Sequence, residues 1–171
     1  IIKKINSAVF PGYQGGPLMH IIAAKAVAFG EALQPKFKSY AQQILNNAQS
    51  MVDGLLQLDY QLVSGGTDTH VMLIDLSNKH ITGKKAEITL GKAGITVNKN
   101  MVPFDERSPF VTSGIRVGTP AITTRGMGDP EIRQIVRWID EALSDPENEV
   151  GLARIKSNVN ELCSNFPIYA H

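Results

Sequence analysis

The sequence predicts helices packed on a few short strands, a layered domain of the α/β or α+β class. Three stretches carry that reading. A long apolar stripe at helical spacing follows Pro35. Residues 70–76 form a short run too apolar for a strand with one wet face. A second helical stripe follows Asp129-Pro130. With 171 residues, 43% of them hydrophobic and 19% charged, the chain has the make-up of a globular protein of one or two small units.

The elements follow in order. Residues 17–33 carry Leu18, Ile21, Ile22, Ala23, Ala24, Ala26, Val27 and Ala28, apolar on most sides, with Pro17 near the first turn. They predict a buried helix. Pro35 begins the next helix, the longest. Phe37, Tyr40, Ala41, Ile44, Leu45, Ala48, Met51, Val52 and Leu55 make its stripe, while Lys36, Lys38, Gln42, Asn46 and Asp53 mostly face away. Residues 60–63 read as a short strand, followed by a Ser-Gly-Gly-Thr turn. Residues 70–76 read as a central strand.

Residues 83–93 read as a helix capped by Thr82, with Gly94 suited to a left-handed stop. A short strand is expected at 95–97, a loop broken by Pro103 and Pro109 at 98–111, and a strand at 114–117. Asp129 is expected to cap the next helix, with Pro130 in its first position. Ile132, Ile135, Val136, Ile139, Ala142 and Leu143 form its buried stripe, and Trp138 packs beside it. A last helix over 147–165 ends before Pro167. There is no internal repeat or low-complexity segment.

Composition excludes several function classes. Net charge is +1, and Lys3-Lys4 and Lys84-Lys85 are isolated pairs, so no basic face for nucleic acid is expected. Cys163 is the lone cysteine. It permits no intrachain disulfide, fits a reducing compartment, and falls at helical spacing among Leu152, Ile155, Val159 and Leu162, where buried packing is its expected role. No apolar run reaches the roughly 20 residues that span a bilayer. No secretory signal is visible. His20, His70, His80 and His171 form no pair at metal-ligand spacing, so no metal site is expected. His20 reads as a core or interface residue. Asp68 and His70 read as holding their turn by local hydrogen bonds, and Asp105-Glu106-Arg107 as solvated.

The strongest candidate for chemistry lies in residues 108–126, SPFVTSGIRVGTPAITTRG. Arg116 stands in a β-prone run among Ser113, Gly114, Gly118 and Thr119, closed by Pro120. Small neighbours let a ligand approach the backbone. A guanidinium offers a planar fork for a carboxylate. The alternative is a structural arginine paired with a local Asp or Glu. Gln14-Gly15-Gly16-Pro17 enters a helix, where free N–H groups suit a phosphate; a tight turn needing positive φ is the alternative. Asn100 and Ser108-Pro109-Phe110 lie in a long loop, functional or merely solvated.

Four blocks carry a family resemblance in matching order: residues 6–20 with Phe-Pro-Gly-Tyr-Gln-Gly-Gly-Pro, 63–70 with Val-Ser-Gly-Gly-Thr-Asp-Thr-His, 94–100 with Gly-Ile-Thr-Val-Asn-Lys-Asn, and the Arg116 run. The chain resembles serine hydroxymethyltransferase over nearly all of its length. The family more often has Asn at the position of Thr69. The resemblance implies the C-terminal portion of a pyridoxal-phosphate enzyme of fold type I (aspartate aminotransferase-like). Residues 1–33 would edge the large domain, and residues 34–171 would form a small α+β domain with a short, mainly antiparallel sheet.

It also implies roles. Arg116 binds the carboxylate of serine or glycine. Gly15 and Gly16 meet the pyridoxal 5′-phosphate phosphate of a neighbouring subunit, hence a homodimer or higher homo-oligomer. Asn100, Ser108, Pro109 and Phe110 line the tetrahydrofolate pocket. The family's Schiff-base lysine belongs upstream, so no catalytic residue is expected in these residues, which alone are expected to be inactive. The complete enzyme would transfer the serine hydroxymethyl group to tetrahydrofolate, giving glycine and 5,10-methylenetetrahydrofolate, in the cytoplasm. The alternatives are another fold type I enzyme, an aldolase or aminotransferase, and a non-catalytic partner-binding domain.

Overall fold

The computed structural model describes residues 1–168. His171 lies outside them. By its contacts the chain divides into two compact units, Ile1–Ser39 and Tyr40–His171.

The first unit holds α1 (Ile2–Ser7), a π-helical turn over Ala8–Tyr13 and α2 (Met19–Ala32). The helix expected at residues 17–33 is present, but it is not buried: every residue from 1 to 39 is exposed. A helix apolar on all sides needs cover on all sides. One six-residue helix and one turn supply too little chain for that within the unit. His20 is accordingly exposed.

Helix α3 (Pro35–Gln57) begins at the expected proline and buries Asn47, Ala48, Met51, Val52 and Leu55 in the second unit. There follow β1 (Gln61–Leu62), β2 (Val71–Asp75), α4 (Gly83–Lys92), β3 (Asn98–Asn100), β4 (Gly114–Gly118), α5 (Pro120–Thr124), α6 (Asp129–Ser144) and α7 (Glu149–Asn165). The four strands form one sheet in the order β1-β2-β4-β3, with every pair antiparallel. β2 is therefore central, as the apolar run predicts. Its burial alternates, with Met72 and Ile74 in the core and Val71, Leu73 and Asp75 half-buried. Helices α3, α4, α6 and α7 and the strands share one core, including Leu55, Ile74, Leu90, Ile115, Ile132 and Ile155. Trp138 is buried beside the α6 stripe.

The helix-end chemistry is visible atom by atom. Thr82 Oγ1 accepts the Lys85 N–H at 3.1 Å, and Gly94 stops α4 at φ +79°. The Ile95 N–H then donates to Leu90 O at 2.8 Å. That bond ties residue 95 to the helix end, and the strand expected at 95–97 forms instead at Asn98–Asn100, inside the expected loop. On α6 the cap is Gly128, not Asp129. Its N–H is held by Glu131 Oε2 at 2.8 Å, while Asp129 accepts from Ser50 Oγ and Arg133 Nε at 2.6 and 2.8 Å. Asn148 caps α7 by accepting the Gly151 N–H at 2.9 Å, so that helix starts at Glu149 and not 147. α5 has no apolar periodicity to announce it.

Cys163 is half-buried, at the rim of an apolar cavity of about 300 Å³ shared with Ile122, Ile135 and Leu162. Among the described residues no helix is long and apolar enough to cross a membrane.

The N-terminus of α4 lies hard against the strand entrance. Gly83 N–H donates to Thr112 O at 3.0 Å, and a Cβ on Gly83 would overlap Thr112 Oγ1 and the Gly114 carbonyl. Gly83→Ala is expected to cost about 3 kcal/mol in urea unfolding, the upper part of the overpacking range. Gly91→Ala in the same helix meets open space and should stabilise by roughly 0.5–1 kcal/mol. Equal effects at the two positions would contradict the close approach.

Candidate functional site

Arg116 sits in the middle of β4. It lies opposite Leu73 of β2 and Asn98 of β3 in the ladder. Directly opposed residues project to the same face of a sheet, and neighbours along a strand to opposite faces. Ile115 therefore enters the core, with no exposed surface, while Arg116 is exposed on the other side. Beside it lies a cleft of about 400 Å³ lined by His70, Val71, Asn98, Arg116 and Gly118, among others. Among the described residues, no hydrogen bond or ion pair engages the Arg116 guanidinium. The reading of Arg116 as half of a local ion pair thus has no partner. A larger hollow of about 760 Å³ beside residues 63–68 carries, among the described residues, Asp68 as its one charged group, which does not suit an anion.

The segment after Arg116 is tied down by buried polar groups that the sequence reading missed. The Thr119 N–H donates to His70 O at 3.1 Å, and Thr119 Oγ1 to Ile44 O at 3.0 Å. Asn47, with no exposed surface, donates through Nδ2 to Thr123 Oγ1 (2.8 Å) and Met127 O (3.0 Å) and accepts from Gln43 at 2.9 Å. α3 and the Arg116 strand are thereby locked together. The available signal was an amide on the buried face of α3, between Ile44 and Met51, where a polar group must find partners.

Residues 101–113 connect β3 to β4. The expectation that Asp105-Glu106-Arg107 is solvated holds for Glu106 alone. Asp105 and Arg107 are half-buried, and Arg107 Nη1 is buried with no partner among the described residues. Asp105 accepts four hydrogen bonds: Oδ1 from the Arg107 N–H (3.0 Å) and Ser113 Oγ (2.7 Å), Oδ2 from the Val102 N–H (3.2 Å) and the Ser113 N–H (2.8 Å). Burial pushes its carboxyl pKa up, but the bonds from Ser113, Arg107 and Val102 together outweigh this and hold it at about 2, against an ordinary 3.8. Asn100 Nδ2 donates to Met101 O at 2.7 Å. Ser108 O accepts from the Val111 and Thr112 N–H groups at 2.9 and 3.0 Å. Pro109 is exposed, and the Phe110 ring stands 81% exposed.

The turn before β2 is held differently from the expectation. Thr67 Oγ1 donates to Val71 O at 2.7 Å and accepts the Thr69 N–H at 3.1 Å, while Asp68 and His70 are exposed. Threonine hydroxyls make these local bonds without the desolvation cost of a carboxylate. In the first unit, Gly15 and Gly16 are exposed, neither has positive φ, and no atom of the described residues lies within 4 Å of where a Cβ would stand. The tight-turn explanation for these glycines therefore fails.

The family model described as serine hydroxymethyltransferase matches residues 1–139. The chain belongs to this family. It is 60% identical over 167 residues to the serine hydroxymethyltransferase of Coxiella burnetii (strain CbuG_Q212), covering 98% of this chain and 40% of that protein. It is 59% identical over 170 residues to that of Legionella pneumophila (strain Lens), covering 99% of this chain and 41% of that one. The chain spans about two-fifths of the length of these curated relatives. Within this serine hydroxymethyltransferase family member, the match runs from α1 to Ile139 of α6 and so contains all four strands, Arg116 and the Asp105 loop.

A carboxylate whose pKa is depressed on folding stabilises the fold above its unfolded pKa, and that stabilisation fades as pH falls through its folded pKa. For Asp105 the window runs from about 3.8 down to about 2. The stability advantage of wild type over Asp105→Asn should be constant above pH ~4 and shrink below it, measured by urea unfolding at stepped pH. A gap that stayed constant down to pH ~2 would mean the carboxylate is not held ionised.

Proposed function

We propose that this chain supplies the substrate-carboxylate and folate parts of a serine hydroxymethyltransferase. Such an enzyme moves the serine hydroxymethyl group to tetrahydrofolate, leaving glycine and 5,10-methylenetetrahydrofolate. The observation that carries the reading is the guanidinium of Arg116, unpaired among the described residues, on the open face of a sheet whose other face is the core. An isolated cation among small residues is a site for an anion, and its fork fits a carboxylate at two points. Gripping the carboxylate fixes which bond at Cα stands ready to break.

Gly15 and Gly16 fit the pyridoxal 5′-phosphate phosphate of a neighbouring subunit. No atom of the described residues lies within 4 Å of either Cβ position, so an anion can approach their amides without a side chain in the way. That role implies a homodimer or higher homo-oligomer. When bound, the cofactor supplies the electron sink for the pair left at Cα. Asn100, Ser108, Pro109 and Phe110 are assigned to tetrahydrofolate, the amide to the donor–acceptor edge of the pterin and the exposed ring to its flat face. A cytoplasmic location agrees with the lone Cys163. The tests belong to the enzyme of the relatives' length.

Arg116→Ala should lower kcat/KM for serine by one to two decades or more, since a charge-assisted bond contributes roughly 1.5–3 kcal/mol. Cofactor absorbance should be unchanged. Arg116→Lys should recover little, because a point charge lacks the fork. Wild-type turnover by Arg116→Lys would remove the clamp role.

Cleavage of allo-threonine without folate separates the loop from the clamp. Asn100→Ala and Phe110→Ala should raise the folate KM or slow the serine reaction, at roughly 1–3 kcal/mol each, and spare the folate-free cleavage. Parallel losses in both reactions would sink the folate assignment.

A further inference from the structure

We propose that Asp105 is a positioning residue for the pterin-binding loop: its carboxylate clamps residues 102–113 so that Phe110 is held ready before folate arrives. The inference rests on the folate reading of that loop and adds to it the residue that prepares the surface.

Three observations converge. First, the carboxylate joins the start of the loop (Val102), its middle (Arg107) and its end (Ser113) through four bonds between 2.7 and 3.2 Å. The span from Val102 to Ser113 is thus closed across its base by one side chain. Second, the backbone is strained next to both ends of the clamp. Phe104, before Asp105, has φ +60°, and Thr112, before Ser113, has φ +59°. A left-handed conformation is unfavourable for any side chain and most of all for a β-branched one. It persists where surrounding bonds over-determine it, and such strain gathers at functional sites. Third, the clamp does not serve to bury the loop's own aromatic rings. Phe104 is fully exposed and Phe110 81% exposed. A pinned backbone that presents a ring to solvent is a surface organised for a flat partner, because the ordering cost is met during folding and not during binding.

Asparagine is the informative replacement. It keeps the shape but turns one acceptor oxygen into an amide NH2 donor, which then faces two donors. In the holoenzyme, Asp105→Asn should speed hydrogen exchange of the Val102, Arg107 and Ser113 amides at least tenfold. It should also weaken tetrahydrofolate binding about tenfold, read as a dissociation constant and as folate KM, and leave folate-free cleavage of allo-threonine within about twofold. Ser113→Ala removes one of the four bonds and should give a smaller change in the same direction. Unchanged exchange would show that there is no clamp. If both reactions fall together, Asp105 merely supports the fold and the positioning role is wrong. If Phe110→Ala weakens folate binding and Asp105→Asn does not, the proposal alone fails. If neither affects folate while exchange accelerates, the folate reading of the loop fails and the positioning role goes with it.

Discussion

Ile115 has no exposed surface and its neighbour Arg116 is exposed; the antiparallel register between β2 and β4 makes both true at once. Sheet side chains alternate with a period of two, so a slip of one residue would send Arg116 into the core and Ile115 into water. Burying an unpaired guanidinium carries a penalty far larger than any gain from a better ladder. The register is therefore fixed by the same pair of residues that defines the site. Thr119, Asn47 and Thr123 add a second lock by tying the strand's exit to α3.

Where burial and period coincide locally, the sequence could be read directly. The α3 stripe, the Thr82 cap with the Gly94 stop, the central β2 and the α6 stripe are all set by residues within a few positions of one another. Arg116 stood out because its neighbours are small. What escaped reading depends on polar partners that apolar periodicity does not report, whether near or far along the chain. β3 starts after residue 97 because the amide of Ile95 turns back to Leu90. Asp129 is drawn away from its capping role by Ser50 and Arg133. Asp105 resembles a solvent-facing acid until Ser113, eight residues on, folds onto it.

The exposure of α2 has a related cause. Periodicity reports what a segment could bury, not what lies near it to do the burying. The apolar character of residues 17–33 is a property of the sequence; the cover is a property of its surroundings. By contrast α4, α6 and α7 each carry one apolar face only. Each buries that face within the second unit and turns its charges outward, as in the Lys85–Glu147, Lys92–Glu149 and Arg154–Glu141 pairs. Such exposed pairs contribute little individually, and most of the helices' stability lies in the core.

The outer strands of the sheet are its shortest, two residues in β1 and three in β3. A strand at the rim has an unpaired row of amides and carbonyls that can recruit a foreign strand. Here each rim is only a turn's width long, and Lys99 sits on one of them, its charge partly met by Glu87 at 3.5 Å. The Lys99 amide on that rim is itself taken by Glu87 Oε1 at 3.0 Å, which leaves little free margin for edge-to-edge assembly. The sheet can leave a face open around Arg116 without offering a template for runaway stacking between molecules.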